Sequence, residues 1–212
     1  MCVRLLIATT NRNKLREIRE LLAGVPCELI TLDAYPALAA PEETGRTFEE
    51  NARLKALFYA ASTNELTAAE DSGLAIDALG GAPGVESARF GGAGTAYPHK
   101  FSIIYDALCA NTRASGDRAA RFVCAVALAR GDRVLFETRG TVEGRIAPEP
   151  RGDGGFGYDP IFFYPPYGRT LAEVTQAEKS VVSHRGHAFG KLREFLVMFA
   201  SEQRASQSRD LC

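Results

Sequence analysis

The 212-residue chain has no tryptophan, two methionines and only three histidines. Its five cysteines, Cys2, Cys27, Cys109, Cys124 and Cys212, lie far apart. No Cys-x-x-Cys pair and no histidine at zinc-ligand spacing occurs among them, so a structural zinc site is not expected. Cys109 and Cys124 read as small buried hydrophobes. No run of eighteen apolar residues exists, and the opening stretch from Met1 to Ile7 is too short and too soon broken for a signal peptide or membrane span. The expectation is therefore a cytoplasmic protein with no membrane partner. Charge of one sign is also lacking: the formal net charge is -1, which offers no stripe for tracking nucleic acid, so any phosphate binding must be local. Against these absences stand 46% apolar and 24% charged residues. That balance suits one globular domain with a full core, whole or split into two lobes.

The hydrophobic pattern predicts an α/β chain. Val3 to Thr9 is a short apolar, β-branched run that suits a buried strand and leads into the polar turn Thr10-Asn11-Arg12-Asn13. A helix should follow, with Leu15, Ile18, Leu21 and Leu22 on one face and Gly24 to Pro26 ending it. Glu28 to Leu32 reads as a second strand and Ala34 to Arg46 as a loop. Thr47-Phe48-Glu49-Glu50 has capping-box spacing and opens a helix through about Ala61. Leu66 to Glu70 reads as a brief strand with Asp71 at its end, and Gly80 to Gly84 as a turn. A helix is predicted over His99 to Ala110, and a hairpin from Ala119–Ala129 and Arg133–Arg139 joined at Gly131-Asp132. Pro148 to Gly168 is rich in glycine and proline. Thr175-Gln176-Ala177-Glu178 offers a second capping box, ahead of a long helix from about Arg185 to Phe199. Residues 1–200 form the expected domain, and 201–212 a polar, disordered tail.

Several polar residues fall where apolar ones belong. At 100° per residue, Asn51 and Lys55 share an arc with Phe48, Phe58 and Tyr59, whereas Glu49, Glu50 and Arg53 occupy the other side. A lysine on such a face either snorkels, closes an internal ion pair, or meets an anionic ligand. Lys14 repeats the oddity between Ile18 and Leu21. It also follows a strand-to-helix turn, whose free N–H groups and helix dipole suit a phosphate, although the loop is not a Walker A sequence. Glu42, Glu43, Glu70 and Asp71 are the complementary carboxylates. Magnesium typically sits between one or two such groups and substrate phosphates. In Gly152-Asp153-Gly154-Gly155-Phe156-Gly157-Tyr158-Asp159-Pro160, four glycines allow close approach to a flat ligand, on which Phe156 or Tyr158 stacks while Asp159 accepts from a ring N–H. A tight turn with structural aromatics is the alternative.

Taken in order, these segments resemble the inosine triphosphate pyrophosphatases. The resemblance runs from about Val3 to Leu196. It rests on Thr9-Thr10-Asn11-Arg12-Asn13-Lys14 with Glu17, Thr47 to Ala52 with Lys55, Glu70-Asp71-Ser72-Gly73-Leu74, Gly81 to Val85 with Ser87-Ala88-Arg89, Gly154 to Pro160, and Glu178-Lys179-Ser180 leading to Ser183-His184-Arg185-Gly186. Three features depart from the family pattern: Thr10 stands for a glycine, Glu70 for an aspartate, and the stretch from Gly91 to Ala107 lacks an Asp-x-x-Asn.

The resemblance implies an elongated mixed α/β fold with a twisted central mixed sheet, two lobes with the active cleft between them, and a homodimer. It implies Mg2+-dependent cleavage of deaminated purine nucleoside triphosphates (ITP, dITP, XTP) to monophosphate and pyrophosphate. In that scheme Asp71 accepts the proton of the attacking water and, with Glu43, holds the metal. Lys55 joins it in catalysis and, with Thr9, Thr10, Asn11, Arg12, Asn13 and Lys14, holds the triphosphate. Ser72 contacts the substrate near the cleaved bond, and Asn51 is a further substrate-binding residue. Phe156, Gly157, Tyr158, Asp159, Lys179, His184 and Arg185 form the base and sugar pocket. A Maf-like pyrophosphatase of other base preference and a nucleotide sensor without turnover are the rival readings.

Overall fold

The computed structural model describes residues 3–111, 116 and 118–209, the last eight by backbone only. Cys2 and Cys212 therefore lie outside the described residues. The elements in chain order are β1 (Val3–Ile7), α1 (Arg12–Leu21), β2 (Cys27–Thr31), α2 (Phe48–Thr63), β3 (Leu66–Ile76), α3 (Tyr97–Ala110), β4 (Ala119–Arg130), β5 (Arg133–Ile146), β6 (Phe162–Tyr164), β7 (Arg169–Thr170), α4 (Gln176–Val182) and α5 (His184–Arg209), with short 3-10 turns between them. Hydrogen bonding orders the strands β2-β1-β3-β4-β5-β6-β7. β1 pairs in parallel with both β2 and β3, whereas β6 pairs antiparallel with β5 and β7, so the expected mixed sheet is present.

Chain contacts divide the molecule into two units. The first comprises Met1–Asp71, Ala125–Gly140 and Arg185–Cys212. Here β1 pairs in parallel on both edges, and Leu5, Leu6 and Ile7 form an unbroken buried run that does not alternate with polar residues, the pattern of a strand covered on both faces. Asn11 caps α1 through its side-chain oxygen, which accepts from the N–H groups of Asn13 and Lys14. α2 starts with the predicted capping box, Thr47 against Glu50, and ends at Asn64 in the left-handed conformation. The second unit comprises Ser72–Cys124 and Thr141–His184. Its core gathers Leu74, Ile76, Phe101, Ile104, Phe122 and Phe162 among other buried apolar residues. The capping box at Thr175 is present too, but it opens the separate short helix α4.

Four expectations need correction. β3 does not stop at Glu70: it runs unbroken to Ile76, so Asp71 lies mid-strand, with Glu70 3% and Asp71 5% exposed. Adjacent carboxylates read as a strand end because burying them bare is costly; here each has cationic or amide partners, and the strand continues. β5 likewise runs past Arg139 to Ile146. The last helix continues to Arg209 through residues that favour helix, such as Glu202, Gln203, Arg204 and Ala205. Cys124 is buried, but Cys109 is exposed on α3, one residue past the packed Leu108. Among the described residues, no helix is long and apolar enough to cross a membrane.

Candidate active site

Four elements of the first unit bring the inward-facing polar residues together. Lys55, on α2, places Nζ 2.5 Å from Glu43 Oε1 and 3.4 Å from Asp71 Oδ1. Asn51, one turn earlier and fully buried, donates from Nδ2 to the other carboxylate oxygen of Asp71 at 3.1 Å, while its Oδ1 accepts from Gly45 N–H at 2.8 Å. This amide therefore fixes Asp71 and also the loop that carries Glu43. A Cβ at Gly45 would run into Asn51 itself, which explains a glycine at that turn.

Burial pushes the Asp71 carboxyl above the ordinary carboxylate range and Glu43 adds to the effect, against the opposing pull of Lys55, Lys14 and the Asn51 hydrogen bond. For Lys55, burial works against the charge, but Asp71, Glu43 and Glu70 outweigh it and hold its pKa above the usual lysine value. Lys55 is a firm cation beside a carboxylate that accepts a proton more readily than an exposed one. That pairing suits proton transfer near neutral pH.

Glu70, the neighbour on β3, points to a different set of partners. Lys14 Nζ lies 2.9 Å from its Oε1, and Arg185 Nη2, at the start of α5, lies 3.2 Å from the same atom. Arg185 also reaches Glu17 Oε2 at 2.7 Å. Its side chain is 2% exposed, that of Glu17 3% and that of Glu70 1%. One guanidinium thus links α1, β3 and α5. Glu70 stood among the candidate carboxylates for a metal, and its oxygens meet Lys14 and Arg185; Glu17 had no assigned role, and the available signal was its sharing the α1 arc with Lys14 and Ile18.

The loop between β1 and α1 is exposed from Thr10 to Asn13, with Thr9 half-buried. Its own side chains order it, since Thr9 Oγ1 accepts from Asn11 N–H at 3.2 Å and Asn11 caps the helix. Among the described residues, the N–H groups of Thr10 and Arg12 have no protein partner. A cavity of about 820 Å³ opens beside this loop, lined by Thr9, Thr10, Arg12, Arg16, Tyr35 and Tyr59 among others. Glu43, Lys55 and Asp71 do not line it, so it is not assigned to the reaction centre.

The second unit holds the glycine-rich loop. Asp159 Oδ2 accepts from Lys179 Nζ at 2.5 Å and from Phe156 N–H at 2.7 Å, and both side chains of the ion pair are 3% exposed. Asp159 therefore shapes the turn at Phe156. Tyr158 is 3% exposed and donates its hydroxyl to Ser87 O at 2.9 Å. Phe156 is half-buried with Lys179 Nζ 4.7 Å from its ring centroid, which makes it the better placed of the two aromatics for stacking. His184 stacks on Phe122 at 4.8 Å and is 5% exposed, and Ser72 is half-buried just past Asp71.

A metal could be held at Glu43 and Asp71, whose carboxylates converge on one Lys55 nitrogen. Among the described residues no group of three or more His, Cys, Asp or Glu could hold an ion. Two carboxylates match the protein share that magnesium ordinarily takes when phosphates and water complete its shell.

The sequence model of the Ham1 family matches residues 5–195. A dITP/XTP pyrophosphatase of Gloeobacter violaceus is 50% identical over 188 residues, 89% of this chain and 91% of that protein. One from an Exiguobacterium species is 44% identical over 197 residues, 93% and 98% of the two chains. Among solved structures, a HAM1 protein from Coxiella burnetii matches with a TM-score of 0.86 at 40% identity, covering 92% of this chain and 99% of that one.

Proposed function

The chain belongs to the Ham1 family, and from that premise we propose that it hydrolyses deaminated purine nucleoside triphosphates, dITP and XTP among them, to monophosphate and pyrophosphate. The observation that carries this reading is the buried carboxylate of Asp71, held between Lys55 and Asn51 with Glu43 alongside. Phosphoryl transfer is governed by positioning and charge neutralisation, and these residues provide both.

Asp71 takes the proton from a water that attacks the α-phosphorus, and the bond to the β-phosphate breaks to release pyrophosphate. Lys55 keeps Asp71 ionised until that proton arrives and faces the accumulating negative charge. Asn51 holds Asp71 in line. Lys14 and the open N–H groups of Thr10 and Arg12 grip the phosphates, with Asn11 and Asn13 shaping the loop; Glu70 anchors Lys14, and Ser72 contacts the substrate near the cleaved bond. Glu43 and Asp71 are the fitting ligands for Mg2+, which when bound would offset the triphosphate charge and make its waters more acidic.

Phe156 and Gly157 present a flat face to the purine. Lys179 and Asp159 hold that turn, with Tyr158 behind it. His184 acts as donor to the 6-carbonyl that hypoxanthine and xanthine carry where adenine has an amino group; a site built for one pattern rejects the other strongly, and guanine, which shares the 6-carbonyl, must be rejected at its 2-position. Arg185, joined to Glu17 and Glu70, serves the site through them. Residues 1–200 act as one catalytic domain. The homodimer is a reading from the family resemblance.

The test is a panel of dITP, XTP, ITP, ATP and GTP with Mg2+, read by product. Deaminated substrates should turn over far faster than ATP or GTP, with pyrophosphate the primary product, and EDTA should abolish turnover. Orthophosphate as the primary product would sink the bond assignment.

A further inference from the structure

The second unit contains a lysine that the scheme above does not use. Lys100, on α3, is 2% exposed. Its Nζ donates to Ser87 O at 3.3 Å and Ala88 O at 2.5 Å and lies 4.8 Å from the Tyr97 ring centroid. Burial lowers its pKa and no acidic group offsets the effect. An ammonium that loses its hydration without an anion in return is an unfavourable core choice, so its hydrogen bonds must do something an apolar residue cannot. It also lies in the stretch from Gly91 to Ala107 where the family's Asp-x-x-Asn is missing.

Its partner Ser87 is a junction. Ser87 Oγ accepts from Leu74 N–H at 2.9 Å and donates to Gly84 O at 2.6 Å. A Cβ at Gly73 would collide with that hydroxyl, so β3 and Ser87 are in closest approach two residues after Asp71. The Ser87 carbonyl accepts from Lys100 and also from the Tyr158 hydroxyl, at 2.9 Å. Tyr97, under the Lys100 ammonium, packs edge-on against Tyr158 at 5.2 Å, and Phe101 lies 6.2 Å from the same ring.

We infer that Lys100 is a positioning residue for base recognition: by fixing the Ser87 and Ala88 carbonyls it sets the seat of Tyr158 and hence the pose of the Phe156–Gly157 turn. This rests on the reading that the turn receives the purine. Lys100 is remote from the phosphate residues in role, so its loss should act on substrate affinity and base choice and spare the chemical step.

The experiment compares Lys100→Met, Lys100→Gln and Phe156→Ala by steady-state kinetics on dITP and dGTP. Lys100→Met leaves the Ala88 carbonyl without its side-chain donor and the Ser87 carbonyl with Tyr158 alone, and KM for dITP should rise about tenfold with kcat within about twofold of the parent, and with a smaller preference for dITP over dGTP. Lys100→Gln restores N–H donors and should return KM to within about threefold of the parent. A lowered Tm in Lys100→Met with unchanged KM and unchanged preference would mean a merely structural lysine and overturn the inference. If Lys100→Met does not accumulate as folded protein, Tyr158→Phe removes the other donor to the Ser87 carbonyl; KM should rise about threefold, and an unchanged KM overturns the inference. Phe156→Ala separates the two readings. A raised KM there with a flat response at Lys100 defeats the Lys100 role alone, and a flat response at Phe156 defeats the base loop and the inference together.

Discussion

Replacing Asp71 by asparagine tests the centre of the site with almost no change of shape. In the parent, Asp71 offers one carboxylate oxygen to Asn51 Nδ2 and the other to Lys55 Nζ. An amide has a single acceptor oxygen, so it serves one of these donors and turns its own NH2 toward the other. It cannot take the water's proton, and it is a poorer metal ligand. Loss of a general base costs about 10² to 10⁴ in rate; with the metal-ligand role lost in part as well, kcat should fall about 10³-fold, about 4 kcal/mol of barrier. KM should stay within about threefold, because Lys14 and the loop proposed to grip the phosphates are untouched. Stability should barely move. The folded pKa of Asp71 is raised, so the stabilisation that its proton confers is complete below the unfolded pKa and lost as pH rises through the folded one. At neutral pH the buried charge is a net penalty, which asparagine removes while leaving one donor unserved. Pyrophosphate release from saturating dITP, with a thermal melt on the same sample, is the assay. A kcat within tenfold of the parent would refute Asp71 as the essential base.

The raised Asp71 pKa places the acid limb of the kcat profile above that of an ordinary aspartate, with activity falling as pH drops through it. Lys55→Met removes the leading charge that opposes the rise and should move whatever activity remains to still higher pH; a limb that stays in place would count against the pairing. Glu70→Gln deprives Lys14 of its carboxylate and leaves Arg185 with Glu17. Breaking a buried charge set this way should cost about 3 kcal/mol, lowering Tm by about 6–12 °C for a chain of this size. A melt indistinguishable from the parent would show that Glu70 is not the anchor described.

The sequence alone determined which faces turn inward. Helical periodicity is a local property of the backbone, so the arc that holds Asn51 and Lys55 among aromatics, and the one that places Lys14 beside Ile18, could be read before any fold was known. The same holds for the capping boxes at Thr47 and Thr175, whose partners lie three residues away, and for the apolar run of β1. Tertiary structure decided what those side chains meet. Arg185 stands 168 residues from Glu17 and 115 from Glu70, and no spacing rule connects them. Asp71 looked like a strand terminus because adjacent carboxylates are poor strand residues when unpartnered; α1, α2, α5 and the loop before α2 supply the partners, and β3 runs through. Asp159 and Tyr158 read as ligands for a base, yet their polar atoms go to Lys179, Phe156 N–H and Ser87 O. Local pattern encodes orientation, whereas partnership is set by distant segments brought together. Asp71 was therefore legible as a candidate from the sequence, while its environment of Lys55, Asn51 and Glu43 became definite only in the folded chain.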